Sequence, residues 1–277
     1  MTPPSDWTPA AQRRRTGDWQ LQRAARKAVI LRQLHRPGDP LLLPNAWDCS
    51  SARTVAAAGL PAVATSSAAV AETLGYADGE AAPVSEMLDA VARIAGAVDV
   101  PVTADLERGY GMAPGELVER LAATGAAGCN LEDSHPRTGA LVDAAEQARY
   151  LAGVRAAADR GGVDLVLNAR IDTYLGPAGD PAARLAEAVG RARLYREAGA
   201  DCVYPIGLVD ERAIGEFVAS VGGPVNVLAG GRAPAPAVLA GLGVARISFG
   251  PYLYRASRAH LATLVTDMLA SPHHQRP

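Results

Sequence analysis

From residue 41 onward, short apolar runs alternate with longer stretches whose apolar residues recur at helical spacing. Eight runs of strand length follow in order: LLLP at Leu41–Pro44, PAVATS at Pro61–Ser66, VPVTAD at Val100–Asp105, AGCNLED at Ala127–Asp133, VDLVLNAR at Val163–Arg170, ADCVYP at Ala200–Pro205, PVNVLAG at Pro224–Gly230 and VARISFG at Val244–Gly250. Each is a continuous apolar run, the pattern of a strand buried on both faces. Amphipathic stretches between them, such as SEMLDAVARIAGAV and DPAARLAEAVGRARLYREAGA, predict helices. Several end in glycine just before the next strand (TGA, EAGA, GLG), the mark of a capped helix and a tight turn.

Eight such units with short connections predict a parallel sheet. In a chain of 277 residues they favour a closed (β/α)8 TIM-type barrel as a single domain, 18–277. An extra helix over about Asp18–His35 precedes the barrel, and a C-terminal helix follows it. Residues 1–17 read as a flexible tail, with Arg13–Arg15 solvated. No GxGxxG follows the first strand, which argues against a dinucleotide fold.

Composition narrows the function. A net charge of −2 gives no global field for nucleic acid or an anionic membrane. No apolar run approaches the ~20 residues of a membrane span, and the N-terminus lacks the apolar core of a secretory signal. Cys49, Cys129 and Cys202 show no CxxC spacing, which points to a reducing cytoplasm. Lys27 is the only lysine and lies in the helix before the first strand, so an aldolase working through a Schiff base inside the barrel is excluded.

In a barrel of this kind chemistry sits at the C-terminal strand ends. Those ends carry Asn45, Trp47 and Asp48; Thr65, Ser66 and Ser67; Asp105 and Glu107; Glu132 and Asp133; Asn168, Arg170 and Asp172; and then Tyr204, Asn226 and Ser248. Four carboxylates on two adjacent strand ends repel in a low-dielectric pocket and call for protons or a cation. Hard oxygen ligands suit Mg2+ or Mn2+. With His135 the only histidine nearby, zinc fits less well. Arg170 has the planar fork that binds a substrate carboxylate, or it pairs internally with Asp172 or Glu132. Ser66, Ser67 and Ala68 open a helix and offer N–H groups to an oxyanion, or simply cap it.

The segments PNAWDCSSAR, TSSAAVAETLGYADGE, ADLERGYG, NLEDS, NARIDTYL, REAGADCVY, PVNVLAG and VARISFGP, in that order, resemble the isocitrate lyase/phosphoenolpyruvate mutase superfamily from about Leu41 to Arg255. The resemblance implies a Mg2+ held largely through water by Asp105, Glu107 and Glu132, with Mn2+ as a substitute. It implies Asp78 as an active-site aspartate, Arg170 as the carboxylate binder, and Ser66, Ser67 and Ala68 around the substrate's oxo and carboxylate oxygens. Asn168 and Asn226 join them as substrate-binding candidates. The implied reaction is carried by a lyase or mutase-like enzyme acting on a small 2-oxo or 2-hydroxy acid or phosphonate, of the size of oxaloacetate or phosphonopyruvate. It passes through an enolate, with a C–C or C–P bond broken. Where the lyase branch has a KKCGH-type loop this chain reads SHPRTGAL, with no cysteine. Arg137 and Gly139 stand nearest the mutase branch's lysine and asparagine, and His135 is a candidate general acid. The resemblance also implies a homo-oligomer, a dimer or tetramer, built through the C-terminal helix at Tyr252–Leu269.

Three other readings stay open. One is a metal-assisted aldolase or hydroxymethyltransferase running the same enolate in the condensing direction. Another is a catalytically silent barrel serving as a binding or scaffold protein. The last is a phosphate-binding isomerase that uses AGG at Ala229–Gly231 and SFGP at Ser248–Pro251.

Overall fold

The structure, a computed structural model, describes residues 9–176 and 179–270. Helix α1 (Pro9–Gln33) leads into β1 (Leu41–Leu43) and β2 (Asn45–Ala46). Then come α2 (Cys49–Ala57), β3 (Val63–Thr65), α3 (Ser67–Leu74), α4 (Val84–Gly96), β4 (Val102–Asp105), α5 (Pro114–Ala123), β5 (Gly128–Glu132) and α6 (Ala144–Gly161). The second half adds β6 (Val166–Ile171), α7 (Pro181–Glu197), β7 (Cys202–Pro205), α8 (Glu211–Val221), β8 (Asn226–Leu228), α9 (Pro236–Gly241), β9 (Arg246–Ser248) and α10 (Tyr252–Ala270).

All strand pairs are parallel, and β2 through β7 pair in chain order. β1 pairs with β9, and β9 with β8. Between β1 and β2 stands Pro44, which has no N–H to give a ladder. A single barrel strand is thereby split in two, although the Pro44 carbonyl still accepts from Ala64 N at 3.2 Å. A parallel bridge between Val203 and Val225 joins β7 to the start of β8 and closes the ring. The result is the predicted eight-strand barrel with helices outside.

Side chains alternate across the barrel wall. Ala104, Cys129, Leu131, Leu167, Ala169, Val203, Val227 and Ile247 lie in the apolar core with residues of the surrounding helices. Their neighbours Asp105, Asn130, Glu132, Asn168, Arg170, Asn226 and Arg246 alternate with them and so face the interior. Gly128 is required where it stands, since a Cβ there would lie 2.3 Å from the Val166 carbonyl oxygen. The predicted glycine stops hold: Gly125 and Gly199 adopt φ of 79° and 96° directly after α5 and α7.

Helix α1 closes the floor, at the N-terminal ends of the strands. Its Lys27 Nζ donates to the carbonyls of Val98 at 3.1 Å and Val100 at 3.0 Å, just ahead of β4. Its Arg32 pairs with Asp201, just ahead of β7, at 2.8 Å. The helix also corrects the expected tail: it begins at Pro9, not near Asp18. Proline suits a first helical turn, and the Ala, Gln and Arg that follow are strong helix formers, so a segment polar enough to read as tail folds as helix. Residues 1–8 of that expectation lie outside the described residues.

Candidate active site

The strand ends of β4, β5 and β6 bring the acids together in adjacent register: Asp105 pairs with Asn130, and Glu132 with Arg170. Asp105 ends β4, and both its oxygens are held. The backbone N–H and hydroxyl of Ser67 donate to Oδ2 at 3.0 and 2.8 Å, and Asn130 Nδ2 donates to Oδ1 at 3.4 Å. Two residues on, the chain turns sharply and Glu107 takes a φ of 49°. Its Oε1 accepts from the Tyr110 hydroxyl at 2.7 Å and its Oε2 from the Glu80 N–H at 2.6 Å. Burial pushes the Glu107 carboxyl up to about 7; the Tyr110 bond opposes this, and the charges of Asp78 and Asp105 add to it.

Glu132 ends β5, is buried, and meets Arg170 Nη1 at 2.5 Å. Burial raises its pKa, and the Arg170 charge works against that rise. Arg170 also grips Asp172 with a two-pronged contact, Nε to Oδ1 at 2.7 Å and Nη2 to Oδ2 at 3.0 Å. Burial disfavours its charge, but Glu132 and Asp172 outweigh that and raise its pKa. Both partners named from the sequence as internal alternatives for Arg170 are therefore engaged at once.

Asp133 leaves the cluster that the sequence placed it in. Its side chain points to the helix layer, where Oδ2 accepts from the Tyr195 hydroxyl at 2.7 Å and from Arg191 Nη1 at 3.1 Å. Its Oδ1 accepts from the Asp172 N–H at 2.8 Å. Adjacent strand residues face opposite sides, so Glu132 and Asp133 cannot share a pocket. Asp78 takes a place in the acid group instead, on the segment between α3 and α4. The surrounding protein and then the Asp105 carboxylate raise its pKa, with Arg170 and Arg255 opposing.

The serines at the start of α3 divide their work. Ser66 caps the helix, its hydroxyl oxygen accepting from Ala69 N at 3.4 Å, while Ser67 serves Asp105. Ala68 follows as the second residue of α3. Asn168 and Asn226 are deeply buried inside the barrel. Asn168 Nδ2 donates to Asn130 Oδ1 at 2.8 Å, and Asn226 Nδ2 to the Ser248 hydroxyl at 3.2 Å. His135 and Arg137 lie on the loop between Ser134 and Leu141, which pair as an antiparallel bridge. There they border a cleft of about 490 Å³ with Glu80, Arg108, Met112 and Tyr150. The Ser134 hydroxyl reaches inward to Asp172.

Among the described residues no three acidic, histidine or cysteine side chains converge tightly enough to hold an ion directly. The donors are nonetheless hard carboxylate oxygens at one barrel mouth, where burial first, and the neighbouring carboxylates after it, raise the pKa of Asp78, Glu107 and Glu132. That set fits a Mg2+ that keeps several of its waters. Sequence reading passed over Asn130, Glu80, Tyr110 and Arg246. Asn130 and Arg246 were legible by parity, as polar residues two positions from known inward ones (Glu132, Ser248). Glu80 and Tyr110 carry no local signal, because the backbone turn that joins them to Glu107 is set by tertiary contact.

Comparison with known proteins agrees with this architecture. The family model described as phosphoenolpyruvate phosphomutase matches residues 31–269, and the chain belongs to that family, within the superfamily that also holds isocitrate lyase. The members of this superfamily are lyases and mutases of oxo acids and phosphonates. A crystal structure of a candidate phosphonomutase from Burkholderia cenocepacia J2315 superposes with a TM-score of 0.83 at 46% identity, covering 87% of this chain and 99% of that one. Oxaloacetate acetylhydrolase in complex with oxalate superposes with a TM-score of 0.76 at 26% identity, covering 92% and 91%. A Mycobacterium tuberculosis protein of uncharacterised function is 33% identical over 242 residues, 84% of this chain and 88% of its own.

Proposed function

We propose that this chain is a Mg2+-dependent lyase or mutase-like enzyme acting on a small 2-oxo dicarboxylate or phosphonate, such as oxaloacetate or phosphonopyruvate, through an enolate. The observation that carries the reading is the set of Asp105, Glu107 and Glu132 around one barrel mouth, with the Arg170 guanidinium against Glu132 at 2.5 Å. When bound, the metal supplies Lewis-acid stabilisation of the developing enolate oxygen.

The chain's own groups do the rest. Arg170 turns from Glu132 to the substrate carboxylate, while Asp172 keeps its fork oriented from behind. In the Ser66–Ala68 turn the N–H groups of Ser66 and Ser67 are engaged by the Ala46 carbonyl and Asp105, so the Ala68 N–H and the serine hydroxyls are the groups that meet the substrate's oxygens. Asp78, whose pKa is raised, is placed to hold or move a proton at the reacting carbon. Asn168 and Asn226 form the polar layer beneath the substrate. The loop carrying His135 and Arg137 closes over the mouth: Arg137 meets a phosphonate or second carboxylate, and His135 supplies a proton. Its three cysteines are unpaired, which supports a reducing, cytoplasmic setting. No described helix is long and apolar enough to cross a membrane. A second copy of the chain is the proposed partner, docked on the apolar face of α10.

The test is turnover of oxaloacetate, phosphonopyruvate, phosphoenolpyruvate, 2-alkylmalates and isocitrate with Mg2+, repeated with EDTA and with Asp105→Ala. Turnover of one member that is lost under both treatments is the expected result. Turnover indifferent to both sinks the metal mechanism, and no turnover across the panel favours a binding role.

A further inference from the structure

Arg246, the first residue of β9, lies wholly inside the barrel with no exposed surface. Among the described residues it makes no ion pair, and neither Nε nor Nη1 has a hydrogen-bond partner. A buried guanidinium without compensation is strongly unfavourable. Its Nη2 donates to Asn130 Oδ1 at 3.0 Å. The same oxygen accepts from Asn168 Nδ2 at 2.8 Å. Two donors on Oδ1 decide which way the amide faces, so Nδ2 is left to point at Asp105 Oδ1, 3.4 Å away. Ser67 holds the other Asp105 oxygen. A carboxylate thus lies one amide away from the Arg246 charge, and the amide between them is polarised in the direction that favours both.

We propose that Arg246 is a positioning residue for Asp105, acting through Asn130 as a relay. It fixes the Asn130 amide and completes the set of donors that hold the carboxylate toward the mouth. The consequence for metal binding rests on the function proposed above; the coupling between the two residues does not.

The experiment is a double-mutant cycle in urea unfolding with EDTA present, crossing Arg246→Met with Asp105→Asn. The two effects on the unfolding constant should fall short of multiplying by about tenfold. Crossing Arg246→Met with Glu107→Gln should multiply to within about twofold, because no relay joins that pair. Arg246→Lys should retain part of the Asp105 coupling, which a merely space-filling role would not. If Arg246→Met does not fold, Asn130→Ala crossed with Asp105→Asn reads the same relay. Independent effects in the Asp105 cycle overturn the proposal. A separate titration of the wild-type protein with Mn2+ alone keeps the two readings apart: absence of binding sinks the metal site and leaves the measured coupling standing.

Discussion

The Tyr110 hydroxyl donates to Glu107 Oε1 at 2.7 Å, and the two residues reach each other only because both adopt left-handed backbone, at φ of 54° and 49°. Glu80, at φ of 58°, completes the clasp: its N–H donates to Glu107 and its Oε1 accepts from Tyr110 N at 2.7 Å. Three non-glycine residues in this region at one mouth represent local strain of about 1–3 kcal/mol each, held by the hydrogen bonds between them. What the strain secures is the direction of a proposed metal-binding carboxylate.

Removing the Tyr110 hydroxyl should therefore affect binding more than folding. Tyr110→Phe keeps the ring and deletes one donor to Glu107. Outer contacts of this kind are worth about 10–100-fold in metal affinity or activity. We expect Mn2+ affinity, followed by the loss of free-ion signal, to fall about tenfold. An unchanged affinity would show that Glu107 takes no part in binding.

Arg170 stands between Glu132 and Asp172, whose side chains are 9% and 1% exposed. Arg170→Gln leaves two buried carboxylates without a cation. Breaking such a pair from one side costs about 3–5 kcal/mol, so the variant should show a clearly lower urea midpoint as well as lost turnover. Arg170→Lys keeps the charge and loses the planar fork, and should recover more stability than activity. Urea unfolding and substrate turnover measured on the same preparations separate the two effects.

How far the sequence reaches is visible in these same residues. The barrel was legible because eight apolar runs and their glycine stops are local signals, and Asp105, Glu132 and Arg170 were legible because strand ends are. The Glu132–Asp133 pair was misread as one cluster: adjacent acids look alike in a string, yet β-strand alternation sends Asp133 to Arg191 and Tyr195 on α7. The Glu80–Glu107–Tyr110 clasp joins segments 27 and 30 residues apart, and no periodicity marks it. Helix α1 shows the opposite error, since its basic start outweighed good helix propensity when only charge was read.

His35, two residues beyond the end of α1, gives a pH prediction. Burial, then the Arg246 charge, lowers its pKa to about 4 from 6.5 and keeps the ring neutral, against the Nδ1–H donated to the Leu31 carbonyl at 2.7 Å, which favours the charged form. Above pH 6.5 both folded and unfolded chains carry a neutral ring, and the group adds no pH dependence. As pH falls from 6.5 to about 4 the unfolded chain takes up a proton that the folded one refuses. Stability is lost across that window, by about 3 kcal/mol in full. His35→Asn preserves a donor for the Leu31 carbonyl and cannot titrate. Urea unfolding at pH 7.5, 6 and 5 should show a shallower decline than in the wild type; equal slopes would mean that His35 is not held neutral.

The C-terminal helix offers the last prediction. Leu261, Leu264, Val265, Met268 and Leu269 recur at helical spacing on α10, and each is exposed by 47% or more. An apolar stripe of this regularity on a surface helix is the feature on which the proposed second copy would dock. Leu42, on β1, is a further exposed apolar side chain, where a barrel strand ordinarily has a helix over it. If a second copy covers the α10 stripe, the wild-type chain should run as a dimer or tetramer in size-exclusion chromatography with light scattering. Leu264→Glu combined with Met268→Glu should then give a monomer, because burying two carboxylates in an apolar contact costs far more than such an interface returns. A wild-type monomer would remove the partner altogether. A double variant that keeps the wild-type mass would place the interface elsewhere on the barrel.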